Sequence, residues 1–202
     1  VSIAERTKRE KVHVIGCGAI AREILTVCEM NGLDHIDLTC LPAIWHNTPD
    51  KITPGLKEAI DKARARGFER IFVAYADCGT GGDLDRLCEA EGVERISGPH
   101  CFSFFAGNAD FDARWDDDFT SFFLTDFLAR QFEAFVIEPL GLDRHPELRD
   151  MYFGHYRKLI YLSQVEDEAL KRKAEQAAER LGLAYEYRFT GYGDLTGALK
   201  TA

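Results

Sequence analysis

The run "VHVIGCGAIAREI", Val12–Ile24, joins an apolar stretch to a segment of helical spacing through the turn Gly16-Cys17-Gly18. An apolar, β-branched run bounded by glycine reads as a buried strand. Ile20, Ile24 and Val27 then fall at the intervals of a helix face. The same alternation recurs along the chain. "HIDLTCL" (35–41), "RIFVAYA" (70–76) and "RISGP" (95–99) read as strands, and "PDKITPGLKEAIDKARARG" and "GDLDRLCEAEG" as helices closed by Gly. After position 157, "KLIYLSQ" (158–164), "DEALKRKAEQAAERLG" (167–182) and "AYEYRF" (184–189) repeat strand, helix and strand. The pattern predicts an α/β fold: one domain over 1–202, a three-layer sandwich with one mostly parallel sheet of about six strands.

The middle reads differently, as an inserted helical segment at about 110–156. "DDDFTSFFLTDFLARQFEAFVIEPLGL" places Phe119, Phe122, Phe123, Phe127, Leu128, Phe132 and Phe135 at spacings of three and four. That predicts a long helix packed on the sheet, with an oligomer interface through the Phe-rich face 119–135 as the sharper alternative. "HPELRDMYFGHY" predicts a second helix, opened by Pro146.

A chain of 202 residues with 46% hydrophobic content can bury a substantial core. Its 25 basic and 34 acidic side chains, net −9, argue against nucleic acid as a partner. No apolar run approaches the roughly 18 residues of a membrane span, and "VSIAERTKREK" (1–11) lacks the apolar centre of a signal peptide, so a cytoplasmic protein is expected. Six cysteines (17, 28, 40, 78, 88, 101) in such a chain read as free thiols or metal ligands rather than disulfides.

The glycine turn has two readings. Gly16, Gly18 and Ala21 fit the dinucleotide fingerprint, which also wants an acid about twenty residues on, at the end of the second strand. That strand ends in Thr39-Cys40-Leu41-Pro42, with Asp37 inside it, so a nicotinamide-dependent oxidoreductase is the weaker alternative. Otherwise the turn presents Cys17, whose thiol at a helix start would be driven toward thiolate.

Reactive side chains recur just past the strand ends: Cys17 after the first, His46 after the second, Cys78 after the third, His100 and Cys101 after the fourth. A parallel sheet gathers such ends on one edge, where α/β proteins bind ligands. Thiolate and imidazole together suit zinc, with iron or cobalt as substitutes. The expected ligands are His46, Cys78, Cys101 and Cys17, with His100 in reserve. Cys17, Glu23 and Asp77 are candidate catalytic groups, Asp77 as the acceptor for a metal-bound histidine, and Tyr75 and Asn47 are nearby polar groups. Each has a plainer reading: a thiol is often a small core residue, Glu23 fits a solvated helix face, and Thr80–Asp83 caps a helix or binds an anion. Cys28, Cys40, Cys88, His13 and His35 read as structural, and Asp194 with Tyr192 as a possible return to the same edge or a closing turn.

"IGCGAIAREI", "WHNTPDKI", "YADCGTGGDLD", "GPHCFSFFAG", "HYRKLIYLSQ" and "TGYGDL" resemble a family known as domain of unknown function number sixteen thirty-eight. The resemblance implies an α/β protein of archaea and bacteria, often encoded near corrinoid-dependent methyltransferases, and no established reaction. Its motifs fall on Cys17, Glu23, His46, Cys78, His100 and Cys101. The expected function is zinc binding in or beside methyl transfer of one-carbon metabolism. Partners would then be a small-molecule substrate or corrinoid methyltransferase components, with corrinoid reached only through the partner. A thiol redox or binding module without turnover is the third reading.

Overall fold

The computed structural model describes residues 10–202. Most of the segment 1–11 read above for a signal peptide therefore lies outside the described residues. The fold is α/β with parallel strands throughout, but the strands form two sheets, of four and three, in place of the single sheet of about six. The chain divides into two compact units, one running up to Ile96 and including Ala198–Ala202, the other spanning Ser97–Gly197. Hydrophobic spacing identifies strands without saying which of them pair, so the partition into sheets was not legible from it.

In the first unit the elements run β1 (Val12–Cys17), α1 (Ala21–Met30), β2 (Ile36–Leu41), α2 (Ile52–Ala65), β3 (Arg70–Ala74), α3 (Asp83–Glu91) and β4 (Glu94–Arg95). The sheet order is β2-β1-β3-β4, all parallel, with Gly16 level with Cys40 on one side and Ala74 on the other. Every residue of β1 is buried, as expected for a central parallel strand covered on both faces. His13 is therefore inside, and it is matched there: its Nδ1 lies 2.8 Å from Asp37, which also accepts from Arg66 at 2.8 Å. The expected fourth strand over 95–99 shrinks to Glu94–Arg95, because Gly98 turns the chain at φ +120° and Pro99 has no N–H to give a ladder.

The second unit contains α4 (Cys101–Ala106), α5 (Asn108–Ala113), α6 (Trp115–Asp118), β5 (Ser121–Thr125), α7 (Asp126–Arg130), α8 (Arg149–Phe153), β6 (Lys158–Ser163), α9 (Glu168–Leu181), β7 (Ala184–Phe189) and the start of α10 (Asp194–Thr201). Its sheet is β5-β6-β7, parallel, with Phe123 level with Ile160 and Ile160 with Glu186. One face carries Leu124, Leu159 and Tyr161, in one apolar core with Leu170, Ala174, Ala177 and Leu181 of α9. Asp167 caps α9 by accepting from the amides of Ala169 and Leu170 at 2.8 and 3.2 Å, and Gly182 ends it in the left-handed region.

The long Phe-rich helix over 119–135 does not form. Ser121–Thr125 is a strand, Asp126–Arg130 a short helix and Glu133–Ile137 a π turn. "SFFLT" is a strand covered on both faces, so Phe122 and Phe123 stand side by side without polar alternation and the phenylalanines fall by chance at helical intervals. The insertion at 110–156 thus contains a strand, and the continuous helical face drawn for an oligomer is absent. No helix among the described residues is long and apolar enough to cross a membrane.

Candidate functional site

The order β2-β1-β3-β4 fixes where a ligand site belongs. The chain steps from β1 to β2 in one direction, then crosses back over β1 to β3, so β1 and β3 leave the sheet on opposite sides. The crevice beyond the carboxyl ends of such a pair is where open α/β sheets bind ligands. Cys17 is the last residue of β1, Tyr75 follows β3 directly, and His46 lies in the 3₁₀ turn Ala43–Asn47 after β2.

Two features of the sequence seat His46. Trp45 lies against α2 at Gly55, where an added Cβ would stand 2.2 Å from the indole ring. Gly18 plays the matching part at β1: a Cβ there would be 2.8 Å from the Leu41 carbonyl oxygen and 3.1 Å from the Ala43 amide nitrogen. The His46 turn therefore runs across the backbone of Gly18. Close approach of protein backbone thus gives Gly18 a reason to be glycine that involves no pyrophosphate, and Asp37, the nearest acid on β2, is held by His13 and Arg66.

Cys17 Sγ is 3.9 Å from both Nδ1 and Nε2 of His46. An atom equidistant from both nitrogens lies along the lone pair of neither, so this is packing contact rather than a hydrogen bond. Nδ1 of His46 lies 2.8 Å from the Ala43 carbonyl oxygen. A carbonyl only accepts, so the proton sits on Nδ1 and Nε2 keeps its lone pair. Burial lowers the imidazole below its ordinary pKa, against the opposing effect of the Ala43 bond, and keeps it neutral. The ring of Tyr75 stacks on it, centroids 5.7 Å apart and 14° between planes.

The thiol departs from expectation. Burial pushes Cys17 up to about 11, outweighing the Ala19 amide, which donates to the sulfur at 3.3 Å, and the Tyr75 hydroxyl. Without a bound cation it is a thiol at neutral pH, because desolvation exceeds the pull of the turn's N–H groups.

Past β3, Cys78 is the single non-glycine residue with positive φ among the described residues, at +48°. Its loop is built around Asp77, whose carboxylate accepts from Thr80 Oγ1 at 2.6 Å, the Gly82 amide at 2.8 Å and the Gly81 amide at 3.2 Å. Burial alone would raise Asp77, but these donors hold it below the usual carboxylate range. The amides that an anion would take are thus filled from within the loop, and the acceptor for His46 is the Ala43 carbonyl rather than Asp77. Glu23 is buried in the first turn of α1 rather than on a solvated face, and Asn47 is exposed.

His100 and Cys101 belong to the second unit, where His100 precedes α4 and Cys101 opens it. His100 packs against Phe102 and Phe111, each with centroids 5.2 Å away, and its pKa is lowered by burial. Neither residue ends β4, contrary to the expectation from a strand over 95–99. Asp194, expected near the edge or in a closing turn, accepts from the Asn108 amide at 2.8 Å and Nδ2 at 3.0 Å. Among the described residues no group of three His, Cys, Asp or Glu side chains is arranged to hold a metal ion. Cys88 is buried and Cys28 and Cys40 are half-buried, and burial raises all three thiols.

One polar cluster escaped the sequence reading. Asp126, fully buried at the end of β5, accepts from the Tyr161 hydroxyl at 2.6 Å and the amides of Gln164 and Val165 at 3.2 and 3.1 Å, while Gln164 Oε1 accepts from its amide at 2.9 Å. Desolvation raises its pKa despite those donors. Reading "TDF" as mid-helix hid its place at a strand end.

The family described as Protein of unknown function (DUF1638) matches residues 40–199. The chain belongs to that family. No curated protein and no solved structure matches it. Within the DUF1638 match lie His46, Cys78, His100 and Cys101; Cys17 and Glu23 precede it.

Proposed function

We propose that the carboxyl edge of the first sheet is a small-ligand site, and that Cys17 and His46 act there as paired donors to a soft divalent metal, zinc before iron or cobalt. The observation that supports this is the pair itself, thiol beside imidazole at the switch point, with the His46 tautomer set so that Nε2 can ligate. Zinc takes thiolate sulfur at about 2.3 Å and imidazole nitrogen at about 2.0 Å. In tetrahedral array that puts the two donors roughly 3.5 Å apart, so the 3.9 Å pair needs a small approach and a turn of the ring. The other positions fall to solvent, to substrate, or to Cys78 on the adjoining loop.

Metal held there would keep the Cys17 sulfur deprotonated at neutral pH, which is the condition for a thiolate to accept a methyl group. Tyr75 fixes the plane of the His46 ring, and the Ala43 carbonyl holds the Nδ1 proton. The setting beside corrinoid-dependent methyl transfer is the part of the reading that the family resemblance supplies. Titration of tag-free apoprotein with cobalt(II) tests the pair. A thiolate-to-metal charge-transfer absorption that is lost in Cys17→Ser and weakened in His46→Ala is expected, and an unchanged band in Cys17→Ser overturns the assignment.

A further inference from the structure

The second unit carries a cavity of about 440 Å³ over the sheet face opposite its α9 core. Strand register puts Phe123, Glu186 and Arg188 on that face. Phe111, Phe123 and Phe189 supply apolar wall, with the Phe111 and Phe123 rings 5.4 Å apart. A concave site of this size, walled by aromatic rings on one side and by charged and polar side chains on the other, suits a small molecule that is itself part apolar and part charged.

The charges around it sort into two groups. Arg188 binds both carboxylate oxygens of Asp118 through its two terminal nitrogens and Glu186 through Nε at 2.6 Å. Lys158 reaches Asp118 at 3.0 Å and Glu186 at 2.8 Å. Two cations and two carboxylates cancel, leaving the cavity floor rigid and neutral. Asp110 and Arg114 remain, exposed on and just after α5 and one helical turn apart, and neither side chain has a hydrogen bond or ion pair among the described residues. At that separation, about 6 Å between Cβ atoms, the two side chains can reach the same bound molecule.

An unmatched carboxylate and an unmatched guanidinium beside aromatic walls are complementary to a molecule with an ammonium, a carboxylate and a short apolar body. We propose that this cavity binds a free α-amino acid with an aromatic side chain, its carboxylate on Arg114, its ammonium on Asp110 and its ring against Phe111, Phe123 and Phe189. The site is separate from Cys17 and His46 and does not depend on a metal.

Calorimetric titration of the full chain with L-phenylalanine, L-tyrosine and L-tryptophan tests it, with phenylacetate and phenethylamine as probes lacking one charge each. The expected result is saturable binding of at least one amino acid, with each single-charge probe about tenfold weaker or more. Arg114→Gln and Asp110→Asn, both at exposed positions, should each weaken the amino acid by a similar factor while leaving the circular dichroism spectrum unchanged. Binding by none of the three amino acids overturns the proposal, as does binding that both substitutions leave intact. Phenylacetate binding as tightly as the amino acids also overturns it, and reassigns the cavity to aromatic acids.

Discussion

Cys17 Sγ and the His46 ring meet at 3.9 Å although 29 positions separate them in the chain, one ending β1 and the other in the turn after β2. Parallel pairing of those two strands, Cys17 level with Leu41, makes the meeting. The sulfur is buried and protonated, its pKa about 11. Its thiolate fraction at pH 8 is therefore lower than that of a solvent-exposed cysteine by a factor on the order of a hundred. Timed alkylation of metal-free protein with peptide mapping should show Cys17 modified more slowly than a model thiol by at least that factor; labelling at the model rate would contradict the burial account.

Gly55→Ala separates the site from the scaffold. Alanine in a helix interior gains about 0.5–1 kcal/mol over glycine, but its Cβ would meet the Trp45 ring at 2.2 Å. The indole must leave, and the His46 turn moves with it. The variant should unfold within about 1 kcal/mol of wild type while Trp fluorescence shifts and cobalt affinity falls. Unchanged affinity with a displaced Trp45 would show that this contact does not position His46.

Much of this arrangement was legible in the sequence because parallel α/β topology converts strand ends into a shared edge. Cys17, His46 and Tyr75 follow directly from "VIGC", "LPAIWH" and "VAY". What spacing does not show is pairing: "SFFLT" after α6 lacks alternation and is a full strand only through its tertiary partners, whereas "RISGP" after α3 leaves the ladder at Arg95 because Gly98 and Pro99 follow. A full strand over "RISGP" is what would put Cys101 at a strand end. Burial against exposure of a thiol is equally invisible to spacing, which is why the turn's N–H groups promised a thiolate and desolvation gave a thiol.

Gly18→Ala addresses the glycine turn. The new Cβ would sit 2.8 Å from the Leu41 oxygen and 3.1 Å from the Ala43 nitrogen, both backbone atoms with little room to yield. A loss of about 1–3 kcal/mol in urea unfolding is expected. If the packing reason suffices, oxidised and reduced nicotinamide dinucleotides leave the wild-type melting temperature in place; a shift of several degrees with either would restore the dinucleotide reading.

Asp118 carries a pH dependence. Its side chain is 6% exposed, and the Arg188 guanidinium, followed by Lys158, holds its carboxyl below the usual carboxylate range. A depressed folded-state pKa contributes stability above the unfolded value, about 3.9, and that contribution is lost as pH falls through the folded value. Asp118→Asn should therefore cost about 1–3 kcal/mol at pH 7, since it leaves half-buried Arg188 and Lys158 to share Glu186 alone. The gap from wild type should narrow steadily below about pH 4. A gap independent of pH between 7 and 3 would mean that the ion pair is not what the carboxylate contributes.

The most direct measurement is the metal content of tag-free protein by plasma mass spectrometry, wild type beside Cys17→Ser and His46→Ala. Paired donors at the switch point predict about one zinc per chain in wild type and its loss in both variants, each still folded. Wild-type protein without metal that also takes up none from added zinc, or variants that retain it in full, would contradict the assignment of Cys17 and His46 as its ligands.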